Sequence, residues 1–243
     1  MFDEVAEAQA LGHHIKVVLP GPLTYLWVGR AQAEHFDKLK LLPALLPVYA
    51  EILARLRAQG VAWVQLDEPM LVLDLPTPWR QAFATAYAAL QVPGIKVLLA
   101  TYFGGLGDNL DIVKTLPVAG VHIDALSAPA DAHALAHCLR TDQVLSCGVI
   151  AGRNIWRTDL DAVLALVRPL AATLGDRLWL APTCSLLHVP VDLDAEAGLD
   201  SEIKRWLAFA VQKLGELDLL KRALNGGDEA VAAQLQGARD AIA

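Results

Sequence analysis

Residues 61–75 read V-A-W-V-Q-L-D-E-P-M-L-V-L-D-L, and this stretch decides the fold. Positions 61–66 are mostly apolar, as a strand covered on both faces should be. Asp67 and Glu68 follow together, and Pro69 then disfavours helix at Glu68 and forces the chain off the strand. In α/β proteins, the edge where strands end is where functional side chains gather. The pair marks a working site, a former one, or a solvated strand end.

Outward from this stretch the same unit recurs. Strands are expected at 15–20, 62–66, 96–100, 120–123, 144–149 and 178–181. Helical spacing or propensity lies between them at 41–59, 79–90, 108–116, 130–139 and 160–174, with a long amphipathic stretch at 200–223. Asp108 and Asp159 stand where an acidic side chain would cap a helix start. Strands that alternate with helices imply a largely parallel sheet. The first strand runs into V17-V-L-P-G-P-L-T24, which is neither GxGxxG nor GxxxxGK[ST], and no GxSxG elbow occurs anywhere. That favours an α/β chain of the (β/α)8 barrel type over a doubly wound sheet. A barrel closes with eight strands; six are visible here, so either two are hidden or the chain is a fragment. One partial barrel domain is expected over 1–225, with a tail at 226–243 that frays.

Bulk properties narrow the function. The 243 residues are 55% apolar and 19% charged, with a formal net charge of −7. This composition suits a packed core and opposes nucleic acid or an anionic membrane surface as partner. No run is long and apolar enough for a membrane span, and the opening M-F-D-E-V-A-E-A is unlike a secretory signal. The three scattered cysteines, 138, 147 and 184, fit a reduced cytoplasmic chain.

The polar residues at the strand ends are the candidate site. Asp67 and Glu68 point opposite ways in an extended chain, so one faces the barrel mouth and the other meets a cation or water. Alternation places His122 and Asp124 on one face. Arg153, Asn154 and Arg157 lie in G152-R-N-I-W-R-T-D-L160, where an arginine either grips a carboxylate or pairs with Asp124, Asp159 or Glu68. Cys184 is a small core residue, a zinc ligand with Asp124 and His188, or a nucleophile with the same two partners. Cys138 and Cys147 are expected to pack, and Trp63, Trp156 and Trp179 to wedge the core.

The segments V18-L-P-G-P-L-T-Y-L-W-V-G29, W63-V-Q-L-D-E-P69, L98-L-A-T-Y-F-G104, G148-V-I-A-G-R-N-I-W-R-T-D-L160 and L180-A-P-T-C-S-L-L-H-V-P-V-D-L193 together resemble the N-terminal barrel of cobalamin-independent methionine synthase. The resemblance implies two fused (β/α)8 barrels in the complete enzyme. It also implies methyl transfer from 5-methyltetrahydropteroyltriglutamate to homocysteine at a zinc site in the C-terminal barrel. By this likeness the chain lacks the first two strands of its own barrel and the whole catalytic barrel. Those missing parts, with the folate polyglutamate and homocysteine, are the partners implied for it. Laying the catalytic barrel over this one puts the zinc-binding His at Ala100, the first Cys at Tyr102, the Glu at Asp124 and the last Cys at Cys184. The homocysteine-binding Asp falls at Asp67, and a folate-binding acid falls at Leu73. Two donors are lost and one is shortened, so no cofactor is expected in this chain. Asp67, Glu68, Asp124, Arg153 and Asn154 then stand as vestigial substrate-binding residues. A stand-alone module that holds a small molecule or a protein is the alternative. Exposed sheet edges also make self-association an expectation.

Overall fold

The computed structural model describes residues 1–32 and 35–242. The six strands are β1 (Lys16–Pro20), β2 (Trp63–Asp67), β3 (Lys96–Ala100), β4 (Gly120–Asp124), β5 (Val144–Ile150) and β6 (Leu178–Pro182). Each lies within about two residues of its expected place, because short β-branched and leucine-rich runs bounded by Gly, Pro or Asp leave little choice. Helices alternate with them: α1 (Phe2–Ala10), α2 (Pro22–Val28), α3 (Leu42–Ala58), α4 (Thr77–Ala89), α5 (Leu110–Thr115), α6 (Pro129–Cys138), α7 (Leu160–Leu174), α8 (Ser201–Trp206), α9 (Ala210–Gly226) and α10 (Ala232–Ile242).

The chain divides into two compact units. Met1–His122 with Leu139–Gln143 form the first, and Ile123–Cys138 with Val144–Ala243 form the second. In the first unit β1, β2, β3 and β4 pair in chain order, all parallel. The register puts Lys16, Trp63 and Lys96 side by side, then Val18, Gln65, Leu98 and Gly120, then Pro20, Asp67, Ala100 and His122. Since side chains alternate along a strand, these rows share one face. The opposite face carries Val64, Leu66, Val97, Leu99 and Val121, all buried, as are Leu23, Leu53, Leu56, Phe83 and Tyr87 of the helices. Each such side chain contributes about 1.5–3 kcal/mol on burial. β1 differs from the inner strands: Lys16, Val18 and Pro20 are exposed.

In the second unit β5 and β6 pair in parallel from Leu145 opposite Leu178, with a register shift between Gly148 and Ile150. Gly148 has a steric reason to be glycine: a Cβ there would lie 2.6 Å from the Thr183 Cα and 3.0 Å from the Ile123 carbonyl oxygen. α7 buries Leu160, Val163, Leu164, Val167, Leu170 and Leu174 along one stripe. It starts as expected, with the Asp159 carboxylate accepting from the Ala162 amide at 3.0 Å.

One element was not anticipated: the G21-P-L-T-Y segment after β1 starts α2. Three expectations are corrected. Residues 200–223 do not form one helix but break at Leu207–Phe209, where Leu207 bridges Trp156 and the Ala208 amide donates to the Ile155 carbonyl. Residues 232–242, expected as part of a tail, form α10, which buries Leu235, Ala238 and Ala241, and Arg239 forks onto Asp161 of α7. Asp108 lies inside a short 3-10 turn, where its backbone carbonyl accepts from Arg80.

Candidate functional site

Asp67 and Glu68 end β2 in opposite surroundings. Glu68 is fully buried. Its Oε2 accepts from the Thr24 amide at 2.7 Å and its Oε1 from the Leu23 amide at 3.1 Å, so the carboxylate caps the first turn of α2 from a distant strand. Tyr87 donates to Oε1 as well, at 3.3 Å. Gly21 leaves the room, since a Cβ there would stand 2.2 Å from the carboxylate. Burial pushes Glu68 up to about 7, and the bonds from Thr24, Leu23 and Tyr87 hold it from going further. A carboxylate sealed beneath a helix start offers no surface to a substrate, so Glu68 acts as a cap and not as the binding residue expected.

Asp67 is half-buried and belongs to a network on the polar face of the first unit. Its Oδ1 accepts from Gln65 Nε2 at 2.8 Å and from the Tyr102 hydroxyl at 3.1 Å. Gln65 Nε2 also meets the Tyr102 hydroxyl, and Lys16 donates to Gln65 Oε1. Burial raises Asp67, while the bonds from Gln65 and Tyr102 and the charge of Lys16 lower it. Partial burial of its amine, on a residue otherwise exposed, also lowers Lys16, against the pull of Asp67. His122 is buried with its ring 5.5 Å from that of Tyr102, and Ala100 sits between Asp67 and His122 in register. Lys16 and Gln65 were invisible as site residues in the sequence, because a lone strand lysine and glutamine carry no motif.

In the second unit Asp124 is buried, its Oδ1 accepting from the Ser127 amide at 3.0 Å and its Oδ2 from the Ser127 hydroxyl at 2.8 Å. Cys184 is also buried, and burial raises its thiol, against the Thr183 hydrogen bond and the Arg153 charge. A raised thiol suits packing and not nucleophilic attack. His188 is exposed on a 3-10 turn. Asn154 Oδ1 accepts from the Trp156 amide at 3.1 Å, and Arg153 is exposed. Asn154 also lines a cavity of about 250 Å³ with Trp156, Arg157 and Leu126. Arg157 donates from Nε to the Arg205 carbonyl at 2.9 Å, not to the acidic side chains proposed for it. Trp156 is 56% exposed, and Cys138 is exposed too, so neither is the core residue expected. Cys147 is buried within β5, its thiol raised to about 12.

Two groups in this unit escaped sequence reading. Lys213 is fully buried and donates to the Trp156 carbonyl at 3.0 Å, and Glu216 accepts from the Thr158 amide at 3.1 Å. Three residues apart on α9, they clamp the loop that carries Arg153 and Asn154. On paper they were two more charges on an amphipathic helix.

Among the described residues no cluster of three or more His, Cys, Asp or Glu side chains is arranged to hold a metal ion. The donor chemistry does not fit the zinc that the resemblance implies. At Ala100 there is a methyl group; the phenol at Tyr102 is committed to Asp67 and Gln65; the Asp124 carboxylate is committed to Ser127.

Six parallel strands alternating with helices, with polar side chains at strand ends in each unit, define an α/β protein and are consistent with a partial β/α barrel. Residues 1–175 match the family model described as cobalamin-independent synthase, N-terminal domain. The chain belongs to the cobalamin-independent methionine synthase family, in its N-terminal domain region. Solved structures share the fold. A B12-independent methionine synthase from Shewanella sp. W3-18-1, solved with selenomethionine, is 16% identical with a TM-score of 0.66, over 97% of this chain and 67% of that one. A candidate vitamin-B12-independent methionine synthase from Listeria monocytogenes is 17% identical with a TM-score of 0.59, over 94% of this chain and 64% of that one. A methyltransferase from Methanosarcina mazei is 13% identical with a TM-score of 0.50, over 74% of this chain and 56% of that one. This chain therefore spans at most about two thirds of the length of these structures. Among its described residues, no helix is long and apolar enough to cross a membrane.

Proposed function

We propose that this chain is a noncatalytic N-terminal-domain portion of a cobalamin-independent methionine synthase, shaped as a (β/α)8-type barrel of which six units are present. In the complete enzyme, methyl passes from 5-methyltetrahydropteroyltriglutamate to homocysteine, and the zinc, the folate and the thiol belong to the catalytic barrel. This chain's part is to support that assembly. Its own Asp67, in the first unit, and Asp124, Arg153 and Asn154, in the second, are vestigial substrate-binding residues.

One observation carries the reading: the Tyr102 hydroxyl is bonded into Asp67 and Gln65. A phenol replaces the thiolate, and Asp67 is turned inward to a protein donor. A metal site needs about four donors, or three and water, and here the side chains satisfy one another. The chain assayed alone with both substrates and added zinc is expected to give no methyl transfer above the protein-free rate. Turnover that depends on zinc and survives repurification would overturn the proposal.

A further inference from the structure

A cavity of about 420 Å³ opens on the first unit, lined by Trp27, Phe36, Asp37, Lys38 and Trp79. Trp27 stands on the last turn of α2 and Trp79 on the first turn of α4. Their ring centroids are 4.9 Å apart and their planes meet at 88°. Both rings are half-buried, and Phe36 is 44% exposed. The sequence has 15 aromatic residues (six Trp, four Tyr and five Phe), and three of them meet at this one hollow.

The corner is built and held. Lys38 Nζ donates to the Trp27 carbonyl at 2.6 Å and ties the Asp37 turn to the end of α2. Asp37 Oδ1 accepts from the Leu39 amide at 3.1 Å, which fixes the carboxylate at the wall. Two rings at a right angle give no parallel slot for a flat ligand. They give a corner in which a rounded group meets the open face of one indole beside the rim of the other. Ring faces are electronegative, so a rounded cation is favoured over a neutral group of the same shape. Asp37 adds a full negative charge. Lys38, on the same wall, would repel a simple cation but would welcome an anionic arm beside it.

We infer that this corner binds a small zwitterion, its alkylated ammonium held by Trp27, Trp79 and Asp37 and its carboxylate by Lys38. The cavity lies within the size range of ordinary ligand sites and leaves room for a larger molecule with the same two ends. The site is independent of the strand-end residues and of the proposed role in methionine synthesis.

Calorimetric titration of the intact chain compares glycine betaine with 3,3-dimethylbutanoate, which keeps the shape and the carboxylate but carries carbon in place of the charged nitrogen. Betaine is expected to saturate, with the uncharged isostere at least tenfold weaker. Asp37→Asn keeps an acceptor for the Leu39 amide but loses the charge, and should weaken betaine severalfold. Trp79→Leu should weaken it at least fivefold, with circular dichroism confirming the fold. Equal affinities for betaine and its isostere would overturn the inference. So would a flat betaine titration of the folded wild-type chain up to about 50 mM, well past the weak end of ligand affinities, or betaine binding undisturbed by Asp37→Asn.

Discussion

Asp67 and Glu68 are chain neighbours with different fates, and alternation is the cause. Asp67 takes the polar face with Gln65, and Glu68, one step on, turns beneath α2. The sequence showed that the two must diverge. It could not show which would be sealed, because the cap of α2 comes from a residue more than forty positions away. The consequence is measurable. Burial holds Glu68 at about 7 in the fold against 4.5 for the free side chain. Folding therefore favours the protonated form: the stabilisation is complete below pH 4.5 and is lost as pH rises through about 7. We expect unfolding free energy, measured by urea denaturation at stepped pH, to fall by about 3 kcal/mol from this group between pH 5 and pH 8. Glu68→Gln should flatten that part of the profile. An equally steep fall in the variant would place the titrating group elsewhere.

Elements were legible where one local signal dominated. The strands announced themselves by short apolar runs with abrupt polar ends, and α7 by its stripe and by Asp159. α2 was hidden because Gly21-Pro22 reads equally as a turn and as a helix start with Pro in its first turn. The break between α8 and α9 was hidden because its cause is distant: residues 155–157 pair with the chain at 206–208. Propensity cannot see a partner fifty residues away. Packing between elements is tight enough to test at Gly148, where a methyl group would strike the Thr183 backbone, which cannot rotate aside. Gly148→Ala should cost about 3 kcal/mol by chemical denaturation, as overpacking in a closed core does. A loss below about 0.5 kcal/mol, the level of a neutral surface change, would mean that β5 and the chain after β6 yield more readily than the structure indicates.

For the whole molecule, the strand and helix pattern was readable from the sequence, and the candidate site only in part. Asp67 and Asp124 were found by their place at strand ends, whereas Lys16, Lys213 and the Trp27–Trp79 corner arise only when distant segments meet. β1 leaves Val18, in mid-strand, 50% exposed, and exposed strands invite pairing with another chain. Light scattering coupled to size exclusion should therefore show a concentration-dependent rise above 26.1 kDa. A monodisperse monomer at every concentration would contradict it.

Under the proposed function, the residues at the implied donor positions hold no zinc: Ala100 has no donor, and Tyr102 and Asp124 are bonded to Asp67 and Ser127. Elemental analysis of the purified chain, after incubation with excess zinc and exhaustive dialysis, tests this most directly. The account predicts zinc far below one equivalent per chain. One tightly retained equivalent, lost on replacing Cys184 or Asp124 by alanine, would contradict it.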